Sequence, residues 1–449
     1  MLVERKGRIL DLAERVDPAR TALLVVDVQN DFCHPEGAFG RLGHDLSVMP
    51  PMAERLRGLI REAGRLGILT VFIRATYDEE VLSGPLAENY HRRGFTESQC
   101  LEGSWGADWY GGVQPSGAPN EVVITKHRYS PFGGTPIDLC LRSNGIRTVI
   151  VTGVVTSGCV ESTARDAFFR DYHVVVASDC VASASAAQHE ASLRKMAQSF
   201  GVVLPAAEIQ AAWAGADPGP RAWQAGRKAA RVLPDLAARV EPGHTALVLI
   251  DLQNDFCDRA GAMGRRGEDL DFIQATLPAV RDLAAWARRA GVMVIHVRAE
   301  YGPLSASDVT AGTWAAWQAG DDAACCAPGT WGGEFVAGLG PVAREPVVVK
   351  HRYSAFVDTR LDLLLRSNGI RTVVVAGVAT HCCVESTARD ANMRDYYVVI
   401  PEDCVAVRGR MRHLHAASLE TLKTYFGLVV PALAITEAWA LRVPEVARA

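Results

Sequence analysis

Asp27, Lys126 and Cys159 are the residues of this 449-residue chain best suited to covalent chemistry, and the chain carries the set twice. VVDVQNDFC at 25–33 returns as LIDLQNDFC at 249–257. KHRYS at 126–130 returns at 350–354, and CVESTARDA at 159–167 returns at 383–391. The offset is 224 residues each time, which places Asp251, Lys350 and Cys383 in the second copy. A thiol that loses its proton attacks carbonyl carbon. A carboxylate can take that proton and return it to a leaving group, and an ammonium between them offsets both charges. Together these residue types suit nucleophilic hydrolysis.

Cys159 and Cys383 each follow an apolar run and are read as opening a helix. Backbone amides at a helix N-terminus favour a thiolate and lower its pKa from about 8.5. A buried cysteine more often packs as a small apolar side chain. The strand-to-helix position and the accompanying Asp and Lys favour the reactive reading. Asp27 and Asp251 end apolar runs, where burial raises a carboxyl pKa and suits it to proton transfer. Asp31 and Asp255, four residues on, fit better as loop carboxylates that accept backbone N–H groups. Lys126 and Lys350 end VVIT and VVV, and a cation there would hold a neighbouring Asp and Cys in their charged forms. GVVT (153–156) and GVAT (377–380) are candidate oxyanion-hole segments, supplying backbone N–H groups to a developing negative oxygen.

Aromatic residues recur beside these motifs: Phe32 and Phe256, Trp105 and Trp331, Tyr129 and Tyr353, Phe132 and Phe356. Most aromatics are core. These eight are the substrate-binding candidates, with Trp105 (in GSWG) and Trp331 (in GTWG) the expected pocket walls. The copies differ nearby. SPFGGT (130–135) faces SAFVDT (354–359), and His34 faces Asp258, so two pockets of different size and polarity are expected. No HExxH or CxxC occurs among the 12 histidines and 11 cysteines, and adjacent Cys325–Cys326 and Cys382–Cys383 have the wrong spacing for structural zinc. No metal is expected. Neither GxGxxG nor GxxxxGK[ST] is present, so no cofactor is expected either.

These residues need a frame. TALLVVDVQ (21–29), ILTVFIRA (68–75), EVVITK (121–126), RTVIVTGVV (147–155) and HVVVASDC (173–180) read as five strands. MAERLRGLIREAGRLG (52–67), PIDLCLRSNG (136–145) and CVESTARDAFFRDY (159–172) read as helices between them. The second copy repeats the order. Alternation of this kind implies an α/β fold with a mostly parallel sheet covered on both faces. Ligands then bind beyond the carboxyl ends of the strands, where Asp27, Lys126 and Cys159 all fall.

A chain this long exceeds the size of one core. Two domains are expected, at 1–215 and 225–449, with a linker at 216–224 inside a Gly-, Pro- and Ala-rich stretch. Net charge is −4 and 49% of residues are hydrophobic, with no Lys/Arg cluster, so nucleic acid is not an expected partner. No apolar run reaches the roughly 18 residues that span a membrane. The N-terminal MLVERKGRILDLAERV lacks a signal peptide's apolar stretch. The odd cysteine count argues against a disulfide framework, so free thiols in the cytoplasm are expected.

With these motifs together, the chain resembles the isochorismatase-like cysteine hydrolases. The family patterns D-x-Q-N-D-F, K-x-R-Y-S-x-F and G-V-x-T-x-x-C-V-E-S-T-A-R-D-A all occur in both copies. The resemblance implies two tandem domains, each a doubly wound, six-stranded parallel sheet with helices on both faces. It implies the triads Asp27–Lys126–Cys159 and Asp251–Lys350–Cys383. It implies a cis peptide before Val155 and before Ala379, with the backbone N–H groups of Val155 and Cys159, and of Ala379 and Cys383, as oxyanion holes. Isochorismatase itself lacks the nucleophilic Cys. Nicotinamidases carry a metal-binding Asp-x-His where this chain reads RATYDEE and VRAEYGP. The carbamoyl-amide branch (biuret, ureidoacrylate and N-carbamoylsarcosine amidohydrolases) matches best, although its frequent Asn-x before the Cys is here Ser157-Gly158 and His381-Cys382.

The expected activity is metal-independent hydrolysis of a C–N bond in a small linear amide or carbamoyl compound through a thioester, one site per domain. The alternatives are non-amide hydrolysis of the vinyl-ether type, or one catalytic domain paired with a non-catalytic one. Relatives of this kind form dimers or tetramers, which implies an intrachain pseudo-dimer; further homo-oligomerisation is left open by the sequence.

Overall fold

The computed structural model describes residues 10–95, 99–216, 232–301, 325–342 and 344–442. The chain divides into two compact units between Val232 and Leu233. The expected linker at 216–224 lies outside the described residues except for Ala216, as does the start of the amphipathic N-terminal segment, 1–9.

Unit 1 is a six-stranded sheet in the order β3-β2-β1-β4-β5-β6, parallel at every pairing. The strands are β1 (Thr21–Val26), β2 (Leu69–Ala75), β3 (Glu121–Lys126), β4 (Thr148–Val154), β5 (His173–Ala182) and β6 (Val202–Leu204). Every residue of β1 and β4 is buried. Successive side chains leave a strand on opposite faces. Leu23 and Val25 accordingly join one core cluster while Ala22, Leu24 and Val26 join the other. Helix Met49–Arg65 covers the first face with Met52, Leu56 and Leu59. Helices Ile137–Ser143 and Glu161–Phe168 cover the second. Trp213, near the C-terminus of the unit, donates its indole N–H to the Val16 carbonyl at 2.8 Å and locks the last helix against the segment before β1.

Unit 2 repeats the plan in the order β13-β11-β10-β7-β8-β9, with β12 beside β10. Its strands are β7 (Thr245–Ile250), β8 (Met293–Ala299), β9 (Val347–Lys350), β10 (Thr372–Val378), β11 (Tyr397–Pro401), β12 (Val405–Ala406) and β13 (Leu428–Val430). The seventh strand departs from the expected six. It arises because the single β5 of unit 1 is split in two, with a one-turn 3₁₀ segment at Glu402–Cys404. Pro401 stands where unit 1 has Ala177, and proline has no N–H to give to a sheet ladder. Both pieces still pair with β10. Trp439 repeats the closing bond, to the Val240 carbonyl at 2.7 Å.

In each sheet the chain runs outward from the first strand and then returns to its other side. The crevice at that reversal lies between the carboxyl ends of β1 and β4, or of β7 and β10.

Candidate active site

Asp27 is the first residue after β1. Its φ of 51° puts an Asp in the left-handed region, and Asp251 does the same at 53°. Asp is among the few residues that enter this region at modest cost. The turn is held by Asp27 N–H donating to the Ile73 carbonyl and Gln29 N–H donating to the Asp27 carbonyl, both 2.8 Å. Gln29 is fully buried and satisfied. Its amide N donates to the Ala75 and Ala107 carbonyls at 2.9 Å, and its oxygen accepts from Ala75 N–H at 2.8 Å. Gln253 makes the matching bonds in unit 2. Neither glutamine was singled out from sequence, although both recur inside the D-x-Q-N-D motif.

Cys159 lies on a wide π-helical turn, Thr156–Val160, that links β4 to helix Glu161–Phe168. The peptide Val154–Val155 is cis, as is Val378–Ala379. The amides of Gly158 and Val160, on either side of Cys159, both donate to the Val155 carbonyl, at 2.9 and 3.3 Å. The Cys159 amide between them takes no part in that pair. Unit 2 repeats this, with Cys382 and Val384 donating to the Ala379 carbonyl.

Lys126 ends β3, two strands from β1. Strands lie about 4.8 Å apart, so the gap to Asp27 suits a long, extended side chain. Lys126 Nζ meets Asp27 Oδ2 at 2.7 Å, Cys159 Sγ at 3.5 Å and the Arg128 carbonyl at 3.0 Å. Lys350 Nζ meets Asp251 Oδ2 at 2.8 Å, Cys383 Sγ at 3.4 Å and the Arg352 carbonyl at 3.2 Å. All six side chains are buried; the cysteines keep 6% and 7% exposure, enough to border a cavity.

Burial sets the protonation pattern. It raises the carboxyl of Asp27 above the usual range, and the Lys126 charge opposes it. Asp251 behaves likewise against Lys350. Burial works against the Lys126 ammonium, yet Asp27 and Cys159 hold its pKa above the ordinary value. The Cys159 thiol is pushed up to about 12, first by burial and then by the Asp27 charge. This corrects the expected lowering by a helix N-terminus. The thiol sits on the turn ahead of the helix, and desolvation outweighs the cation. Cys383 is also raised, first by its hydrogen bond with Cys382 and then by burial. The surroundings therefore hold the thiol proton more tightly than in a free cysteine, beside the carboxyl group of Asp27 or Asp251.

A cavity of about 610 Å³ opens over Cys159. Of the unit 1 aromatic candidates, Phe32 and Tyr129 line it, together with Val155 and the unforeseen Tyr77, Tyr90 and Gln188. Tyr129 donates to Asn89 across the wall at 2.8 Å. In unit 2, Phe256 and Tyr353 line a cavity of about 70 Å³ with Ala379, Cys383, Tyr301 and Arg408. The other four aromatics do not line either cavity. Trp105 and Trp331 are about half exposed, and it is their carbonyls, accepting from Asn30 and Asn254 at 2.8 Å, that hold the loop. Phe132 and Phe356 pack into the core against Tyr172 and Tyr396. Asp31 and Asp255 close loops through the amides of Cys100 and Cys326, both at 2.7 Å. Asp255, Cys325 and Cys326 place one ligand atom each within 4.8 Å. Both Asp255 oxygens already accept backbone N–H groups, from Ala262 and Cys326.

Residues 21–208 and 245–432 each match the isochorismatase domain. The chain is 34% identical over 210 residues to a ureidoacrylate amidohydrolase of Methylobacterium radiotolerans, covering 44% of this chain and 81% of that protein. A second, from Methylorubrum extorquens, is 33% identical over 209 residues and is covered to 84%. Among solved structures, N-carbamoylsarcosine amidase of Thermoplasma acidophilum is 28% identical, with 42% of this chain and 96% of that one covered and a TM-score of 0.35. An isochorismatase-like hydrolase of Alkaliphilus metalliredigens is 29% identical, covering 44% and 99%, with a TM-score of 0.35. No described helix is long and apolar enough to cross a membrane. The two matches together span most of the chain, which belongs to the isochorismatase family and carries two of its domains in tandem.

Proposed function

We propose that each unit is a cysteine amidohydrolase acting on a C–N bond of a small linear amide or carbamoyl compound. The observation that carries this reading is the buried trio, repeated in both units, at the edge of a cavity. Asp27 takes the proton from Cys159 as Sγ attacks the carbonyl carbon. The oxygen, now negative, is held by the backbone N–H groups of Val155 and Cys159. As the C–N bond breaks, Asp27 gives that proton to the departing nitrogen, which leaves as ammonia or an amine. A thioester remains on Cys159. Asp27 then removes a proton from water, the resulting hydroxide attacks the thioester, and the acid is released as the proton returns to sulfur. Lys126 stays an ammonium throughout and offsets whichever neighbour is negative. Asp251, Lys350, Cys383 and Ala379 play these parts in unit 2. The similarity to two ureidoacrylate amidohydrolases favours a carbamoyl substrate.

The test is ammonia release from a panel of primary amides, carbamoyl compounds and ureides. Wild type and each single variant, Cys159→Ala and Cys383→Ala, should release ammonia. The double variant should lose at least about 10³-fold in rate. Undiminished turnover in the double variant, or hydrolysis confined to substrates with no C–N bond, would contradict the proposal.

A further inference from the structure

Among the described residues, the two sites differ at one pair of positions beside the pocket. In unit 2, Arg408 follows β12 and lines the pocket with Cys383 and Met263. Its guanidinium meets Glu268 Oε1 at 2.8 Å and lies 3.7 Å from Met263 Sδ. The side chains of this ion pair are only 14% and 12% exposed, and Arg410 reaches the same carboxylate at 2.6 Å. One residue on, Gly409 N–H donates to the Asp269 carbonyl at 2.8 Å. A Cβ at Gly409 would meet Asp269 Oδ2 at 2.0 Å, so the approach depends on glycine. Two loops, distant in sequence, are thus fastened together at the edge of the unit 2 pocket.

Unit 1 keeps Asp45 at the position of Asp269 but lacks the glutamate, the arginine and the glycine. The register is secure on both sides. His44 N–H donates to Phe39 and Glu268 N–H to Met263, each at 3.2 Å, so His44 stands where unit 2 has Glu268. Ala182 pairs with Val154 and Ala406 with Val378, so Ala184 stands where unit 2 has Arg408 and Ser185 where it has Gly409. Ala184 and His44 both line the open unit 1 cavity. Ser185 instead caps the helix Ala186–Ser199.

We propose that the Arg408–Glu268 clasp sets substrate class: unit 2 takes compact, uncharged amides or carbamoyl compounds, and unit 1 takes longer polar ones. This rests on the amidohydrolase reading above. Pushing Arg408 aside would take a mostly buried guanidinium off its carboxylate, so a substrate tail cannot do so cheaply. The Arg408 guanidinium is already paired with a carboxylate of the protein, so a substrate carboxylate would have to compete with Glu268 for it. In unit 1 the same edge is a methyl group and an imidazole, and the wall continues with Ser183, Gln188 and Asn89, which can hydrogen-bond a longer substrate.

The experiment isolates each site, unit 2 in Cys159→Ala and unit 1 in Cys383→Ala, and measures kcat/KM along a series of primary amides of increasing acyl length. Unit 2 should discriminate against the longer members. Adding Arg408→Ala and Glu268→His should raise its long-to-short ratio by at least about tenfold, the scale at which pockets sense added methylenes. A second readout needs no turnover: alkylation of Cys383 by iodoacetamide against a bulky maleimide, followed by peptide mass. The same substitutions should raise the bulky-to-small ratio by a similar factor. Should the opened unit 2 not fold, Ala184→Arg with His44→Glu closes unit 1 and should lower both ratios there. If no isolated site releases ammonia, the amidohydrolase reading fails while alkylation still reports on the clasp. Unchanged ratios in both assays overturn the clasp. So does a selective loss of carboxylate-bearing substrates on removing Arg408, which would make it a ligand for the substrate.

Discussion

The surroundings of the sulfur in each trio raise its pKa and so disfavour a preformed thiolate. Burial holds the Cys159 proton in place up to about 12 and raises the Asp27 carboxyl as well, while Lys126 stays charged beyond its ordinary range. In the proposed mechanism the rate depends on a carboxylate that can take the thiol proton. Below the pKa of Asp27 the carboxyl already holds a proton and cannot accept another, so kcat/KM falls as pH falls. Because that pKa is raised, the acid limb should lie above the usual carboxylate value near 4. No limb belonging to a free thiol near 8.5 should appear. Asp27→Asn, measured in Cys383→Ala, should cost about 10²–10⁴-fold in kcat and remove the acid limb. A limb near 8.5 in the wild type, or an unaltered profile in Asp27→Asn, would show that the carboxylate is not the base. These six residues were legible because their types, order and spacing recur in motifs. Their protonation was not, since desolvation depends on what packs around a side chain. The aromatics divide for a similar reason. Phe32 sits in the one-turn helix Asn30–Cys33 and Phe132 in a turn, segments too short for spacing to fix a side-chain direction; one borders the cavity and the other turns into the core.

The strands and turns fix the trio's geometry. β4 passes so close to β1 that a Cβ at Gly153 would lie 2.0 Å from the Val26 carbonyl oxygen, and Gly153 has φ of 100°. Gly377 repeats this against Ile250, at 2.1 Å and φ of 121°. That approach brings the turn bearing Cys159 up to the turn bearing Asp27. Gly153→Ala should therefore destabilise unit 1 by at least about 2 kcal/mol, through both overpacking and the forbidden backbone conformation. Chemical unfolding would show it as a lower midpoint for one transition, together with loss of the unit 1 activity. A variant with wild-type stability and turnover would show that the contact is dispensable. Strands with long apolar runs, such as TALLVV, were legible to within a few residues at their ends. β6 was implied only by the family resemblance, because three residues, Val202–Leu204, are too few to show a period. The break between β11 and β12 had a visible cause in Pro401, but its effect on pairing depended on how β10 continues beside it.

At the scale of the whole molecule, the constant offset of 224 residues announced the duplication. The expected difference between the two pockets is read from 130–135 against 354–359 and from His34 against Asp258, none of which lines either cavity; Arg408, Glu268 and Gly409 acquire meaning only when two loops meet. The central claim is that one chain holds two thiols that each become acylated. The most direct measurement is intact and peptide mass spectrometry of the enzyme quenched by acid during turnover of an amide that it hydrolyses. The account predicts an added acyl mass on Cys159 and on Cys383, each lost on longer incubation and absent from the corresponding alanine variant. A reactive enzyme that never carries acyl on either cysteine, under quenching fast enough to trap a known thioester, would contradict it.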